Sequence, residues 1–183
     1  MIQKDRLYNF FIIATRLWLA YILIDYGWAK LTGTQFGVTT HELNTPLKDL
    51  SLFRLSWYLA DHEPFKSFIG ISQLVAGGLL IFRRTCIIGA LVSIPIWLNI
   101  LMWDITFMGL ASPFTFRIIY YLILTGLILL HYKHYTTAAI KSSLPGKNRT
   151  YQYPFWSYLL LPVIGIAIEL LPGLIRFFTQ PLK

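Results

Sequence analysis

Stretches of roughly twenty mostly apolar residues, the length a helix needs to cross a bilayer, recur at about 8–31, 65–82, 85–103, 114–132 and 155–174. No other feature narrows the fold so far. Of the 183 residues 56% are hydrophobic and only 13% charged, where a soluble domain carries roughly twice that charged share. The mean hydropathy is +0.58. The expectation is an all-α integral membrane protein: a four-transmembrane-helix bundle with a fifth C-terminal helix and a long extracytoplasmic first loop. It forms one membrane domain over 1–183, with a core bundle at about 8–132 and the extra helix at about 155–174.

The joints between the runs support that division. Pro64 precedes the second run, and Arg83-Arg84 divides it from the third so tightly that the two form a helical hairpin. Asp104 to Pro113 makes the next turn, and a basic connector, 131–154, leads to the fifth run. Pro162 and Pro172 make that run irregular, so a re-entrant or interfacial segment is its alternative. The N-terminus MIQKDRLYNFF looks like the start of a signal peptide. The run behind it is too long, contains charges and lacks a small-x-small cleavage site, so it reads as a retained first span.

The net charge of +8 reports cytoplasmic loops and lipid headgroups in such a chain, and nucleic-acid binding is excluded. With the N-terminus in the cytoplasm, Lys4, Arg6, Arg83, Arg84, Lys133, Lys141, Lys147 and Arg149 lie inside. The first loop carries Glu42, Asp49, Asp61 and Glu63 against Lys48 and Arg54, and lies outside. If the fifth run crosses, the C-terminal RFFTQPLK is outside, a mild violation. Within the first loop, Asp49 to Ala60 reads as a short amphipathic helix lying over the outer end of the bundle.

The polar residues inside the runs are the candidates for function. A charge at mid-bilayer costs about 2.5 kcal/mol or more, so each needs a partner, a cavity or an interface. Arg16 lies near the membrane centre, Asp25 in the outer third, Lys30 at the outer interface, and Gln73 midway along the second run. Asn99, Asp104 and Arg117 lie towards the outer ends of the third and fourth, with Glu169 towards that of the fifth. All gather in the outer half. At 100° per residue Asp25 points about 180° from Arg16, so the two cannot face one neighbour. The arrangement expected sets Arg16 inward near Gln73, and Asp25 against Asn99, Arg117 or the loop helix.

Each has a plainer reading. Lys30 and Lys66 suit snorkelling at the interface, Asp25 and Arg117 a structural ion pair, and Gln73 an interhelical hydrogen bond. Trp28, Trp57, Tyr58 and Trp103 fit an outer aromatic belt, and Tyr151, Tyr153 and Trp156 an inner one. Arg16 is too deep to reach an interface cheaply, which makes it the strongest candidate. His131 and His134 share a helix face but sit beside Lys133 at headgroup level, so no metal site is expected. No paired mid-helix histidines suggest haem. Cys86 has no second thiol for redox chemistry. The sequon Asn148-Arg149-Thr150 is predicted cytoplasmic and silent.

Three stretches together resemble the DoxX-like family of small four-helix membrane proteins: RLWLAYILIDYGWAKLTGTQFG (16–37), GISQLVAGGLLIFRRTCIIGALV (70–92) and PIWLNILMWDITF (95–107). The resemblance covers about 16–130. It implies a link to membrane redox chemistry, since members include subunits of thiosulfate–quinone oxidoreductase and partners of thiol-handling enzymes. Arg16, Lys30 and Arg84 match its pattern. Family members often carry Glu where this chain has Gln73, so a proton-accepting role there is absent.

The reading that follows is an accessory or non-catalytic subunit of a bacterial inner-membrane complex, with a protein partner in the membrane or periplasm and contacts to membrane lipids. Its outer-facing polar pocket would take a quinone, lipid head or small ligand. Arg16, Asp25, Gln73, Asn99 and Arg117 would supply polar groups, and Tyr26, Trp97 and Trp103 apolar walls. Two rivals stand beside it. One is an enzyme acting on a lipid or quinone with Asp25 or Asp104 as acid or base. The other is a small transporter or assembly chaperone, although no inverted repeat is visible.

Overall fold

The computed structural model describes residues 2–144 and 153–179, with side chains over 5–144 and 153–172. Lys147, Asn148, Arg149, Thr150, Tyr151 and the last four residues lie outside the described residues. Among those described there is no strand. The chain runs α1 (Ile2–Leu31), α2 (Thr40–Leu43), α3 (Leu52–Ala60), α4 (Phe65–Ile81), α5 (Cys86–Met108), α6 (Pro113–His131), α7 (Lys133–Ser143) and α8 (Phe155–Thr179). Four helical segments are long and apolar enough to cross a membrane: Asp5–Leu31, Cys86–Met108, Pro113–His131 and Phe155–Pro172. The second apolar run behaves differently. α4 is only 17 residues, about 25 Å, and it meets α3 at a bend of 83°.

Contacts divide the chain into two compact units, Met1–Lys141 and Ser142–Lys183. In the first, α1, α4, α5 and α6 pack in a ring of neighbours, α1 on α4, α4 on α5, α5 on α6 and α6 back on α1. Its core is built on Ile12, Leu19, Leu23, Leu80, Ile118 and Ile128, with Trp97 and Tyr121 among them. In the second unit, α8 is continuous through Pro162 and Pro172.

The α1–α4 seam is the tightest, and the reason is glycine. A Cβ on Gly27 would stand 2.7 Å from the Gly70 carbonyl oxygen, and one on Gly77 2.9 Å from that of Ala20. Small residues let backbones approach where lipid gives helices no hydrophobic reason to associate. The turn between α4 and α5 is equally close: a Cβ on Gly89 would meet the Leu80 amide nitrogen at 2.7 Å, and the Thr85 hydroxyl donates to the Leu79 carbonyl at 2.8 Å. This is the hairpin that Arg83-Arg84 announces. α6 begins with Ser112 as N-cap, its hydroxyl accepting from the Phe114 amide, and Pro113 in the first turn, where a missing N–H costs nothing.

The first loop is ordered by side chains rather than by length of helix. Thr39 and Glu42 form a reciprocal capping box on α2. Arg54 of α3 bonds both Glu42 carboxylate oxygens, Nη2 at 2.7 Å from Oε2. It also donates to the Gly37 carbonyl at 3.2 Å and stacks over the Trp57 ring. Three arms of the loop are therefore tied to one guanidinium. The Arg54 and Thr39 hydrogen bonds hold the Glu42 carboxyl down at about 2.

Candidate functional site

Where α1 ends and α6 begins, α3 lies across the bundle and closes over a cavity of about 390 Å³. That is within the range of about 300–1,000 Å³ typical of small-ligand sites. Its walls are aromatic: Phe36 and Trp57 meet edge to face at 6.3 Å, Phe53 and Trp57 at 5.0 Å, and Phe65 stacks on Trp103 at 5.9 Å. All five rings line the cavity, as do Tyr26 and Phe114. Trp57 and Trp103 thus turn into the bundle, while Trp28 remains 62% exposed, as a belt residue should be.

Four charged side chains face this apolar interior: Asp25 and Lys30 from α1, Asp104 from α5 and Arg117 from α6. Lys30 is only 4% exposed and Asp104 6%. Lys30 is therefore not a snorkelling residue. The chain past α1 folds back over it, so that Nζ donates to Gln35 Oε1 at 2.8 Å and to the Tyr26 carbonyl at 3.4 Å. The rings of Phe36 and Tyr26 lie 5.2 and 5.5 Å from the same nitrogen. Lys30 and Asp104 interact across the cavity without forming a direct ion pair. Among the described residues, no side chain or amide donates to either the Asp104 or the Asp25 carboxylate.

Asp25 and Arg117, for which a structural ion pair is the plainer reading, form none among the described residues. Both are exposed and both belong to the α1–α6 seam, the least closely packed of the four. Arg117 lies close enough to the Tyr26 hydroxyl to interact with it and sits over the Phe114 ring at 5.8 Å. Asn99 and Trp103 also line the cavity.

The remaining sequence candidates lie elsewhere. Gln73 packs against Gly27, its Cβ 3.1 Å from where a Gly27 Cβ would be. Arg16 is about 16 Å further along α1, so the expected Arg16–Gln73 meeting does not occur. The reason is register: the glycine contacts set α1 against α4 antiparallel, with Gln73 level with Gly27. Gln73 and Trp97 are both fully buried, each one turn from a cavity residue, Ile69 and Ile100. They underlie the floor rather than line it, and Trp97 packs on Tyr121 at 5.1 Å. Gln73 Nε2 and Oε1, Trp97 Nε1 and Arg16 Nε have no hydrogen-bond partner. Among the described residues no three His, Cys, Asp or Glu cluster as metal ligands; His131 rests on the rings of Tyr8 and Tyr132.

Lys30 suits the interface by sequence alone, and nothing singles out Gln35, Phe36 or Phe53 individually. One signal pointed to them: aromatics interspersed with charges over a loop too long to be a plain connector.

No protein-family profile matches the chain, and no solved structure matches it. Over 93 residues it is 32% identical to the Bacillus subtilis (strain 168) protein named Uncharacterized protein YwoB. The match takes in 50% of this chain and 59% of that relative. The chain therefore spans less than two thirds of the curated relative it matches.

Proposed function

We propose that this chain is a DoxX-like, multi-pass protein of a bacterial inner membrane, N-terminus in the cytoplasm, acting as the ligand-holding accessory subunit of a redox-linked complex. The cavity under α3 would hold the polar head of a membrane-soluble ligand, and turnover would belong to a partner protein. One observation carries the reading: Lys30 and Asp104 are buried charges facing an aromatic-walled space. Desolvating an ion costs several kcal/mol unless paired, so burying two without a direct pair serves a guest better than it serves the fold. The excess of Lys and Arg in the short connections assigned to the cytoplasm supports the orientation.

A quinone fits this donor set only in part. Its carbonyl oxygens would accept from Lys30 and Arg117, and its ring would stack on the aromatic walls, but both carboxylates would stay without a donor. The rival reading, an enzyme using Asp104 as acid or base, draws on the same buried carboxyl.

The test is native mass spectrometry of gently purified protein, with lipid and quinone extraction, on wild type, Arg16→Leu and Lys30→Met. The expected result is one stoichiometric small molecule on wild type and on Arg16→Leu, absent from Lys30→Met. A guest that Lys30→Met holds as well as wild type does, or no guest on any of the three, would refute the proposal.

A further inference from the structure

We infer that the guest is a zwitterionic aminophospholipid, its ammonium between Asp104 and Asp25 and its phosphate on Lys30 and Arg117, admitted sideways between α1 and α6. The inference rests on the binding role proposed above and specifies its ligand.

Charge balance comes first. The cavity presents two acids and two bases, and its other lining residues are neutral, so the formal charges cancel. A head of net charge would leave the complex charged in a low-dielectric setting, which is costly. A neutral head without charges would leave both carboxylates unmet. A head carrying one charge of each sign satisfies both conditions.

Hydrogen bonding then selects the cation. Asp104 is more than nine-tenths buried as a residue; its carboxylate lines the cavity and accepts from no described group. An ionised carboxylate is an acceptor only, so it needs N–H or O–H donors. A primary ammonium brings three; a quaternary ammonium brings none. Lys30 has the complementary shortfall: two of its three donors are used on Gln35 and Tyr26, leaving one for an anionic oxygen.

The route identifies the source. α3 roofs the cavity with Phe53, Trp57 and Ala60, which obstructs access along the helix axis. The α1–α6 seam is edged by one exposed acid and one exposed base, Asp25 and Arg117. Asp25 is about 9 Å inside the end of α1, the depth of lipid headgroups and upper chains. A lipid whose head enters there leaves its acyl chains against the outer faces of α1 and α6, where Tyr21, Trp28, Phe116 and Tyr120 are more than half exposed.

The experiment titrates the full chain in detergent with phosphatidylethanolamine, phosphatidylcholine and phosphatidylglycerol of identical chains, with soluble phosphoethanolamine and with a short-chain quinone, read by native mass spectrometry. One ethanolamine lipid should bind at least about tenfold more tightly than the other two lipids, the value of a charge-assisted hydrogen bond. Asp104→Asn should erase the preference over the choline lipid. Asp25→Asn, at an exposed position, should weaken it. Soluble phosphoethanolamine at the same concentration should not compete. Competition by it would overturn the lipid as source, and equal binding of all three lipids would overturn the inference entirely. In that second case a lipid or quinone held in a Lys30-dependent way leaves the binding role standing, and binding that Lys30→Met retains, or no binding at all, removes both.

Discussion

Replacing Gly27 by Ala tests whether the α1–α4 seam is as close as it stands. The new Cβ would lie 2.7 Å from the Gly70 carbonyl oxygen and 3.1 Å from Gln73 Cβ and Leu74 Cγ. Ordinary contact begins at 3.4 Å, so the helices must part by several tenths of an ångström, and the nearest obstacle is backbone that cannot rotate away. Gly78→Ala is the control, because a Cβ there meets nothing within 4 Å. Both changes gain about 1 kcal/mol of helix propensity, so that gain cancels between them. What remains is overpacking, about 2–3 kcal/mol for so rigid a contact. For a chain of this size the melting temperatures should differ by roughly 4–12 °C, with Gly78→Ala at or above wild type. Thermal unfolding in one detergent, followed by circular dichroism, gives the comparison. If the two variants melt together, the seam is not packed as described and the register that sets Gln73 beside Gly27 is wrong.

Gln73→Met should stabilise the protein by about 1–3 kcal/mol, because it removes a buried amide with neither atom bonded and keeps its length; a loss of stability in the same assay would show that Gln73 has a partner. The loop latch should fail in acid. The Glu42 carboxyl is held at about 2, below its ordinary 4.5, chiefly by Arg54. A depressed carboxyl contributes stability that is complete above pH 4.5 and fades as pH falls towards 2. Hydrogen–deuterium exchange of residues 52–60, corrected for intrinsic rate, should show protection lost across that window, and Arg54→Met should lack it already at neutral pH. Protection unchanged at pH 2.5 would remove the latch from the account.

The boundaries that sequence predicted most closely were those marked by chemistry. The second and fourth runs, 65–82 and 114–132, correspond to Phe65–Ile81 and Pro113–His131, because Pro64, Arg83-Arg84 and Pro113 punctuate them. The third, 85–103, starts at Cys86 but runs on to Met108, through Asp104 where a turn is expected, because no breaker stands between Asp104 and Gly109. The helix over 49–60 forms as Leu52–Ala60, with Ser51 as its cap. Facing and depth were harder. Helical phase correctly separated Asp25 from Arg16, but depth alone cannot say which residue of α1 meets Gln73; that depends on where glycines let α4 approach. Lys30 was misread for a related reason. Its burial comes from Gln35 and Phe36, residues of a loop whose return path no periodicity encodes.

The two seams flanking α1 differ in mechanical compliance. Against α4 the backbones touch through glycine and have no slack, whereas against α6 the contact is sparser. At the end away from the cavity the Tyr8 and His131 rings meet at 5.3 Å. α6 packs on α5 as fully as α4 does, with Tyr121 against Trp97, so whatever slack it has lies on its α1 side. Guests of different girth would be accommodated on that side of the bundle, and a spectroscopic label on the exposed outer face of α6, at Phe116 or Tyr120, would register their arrival.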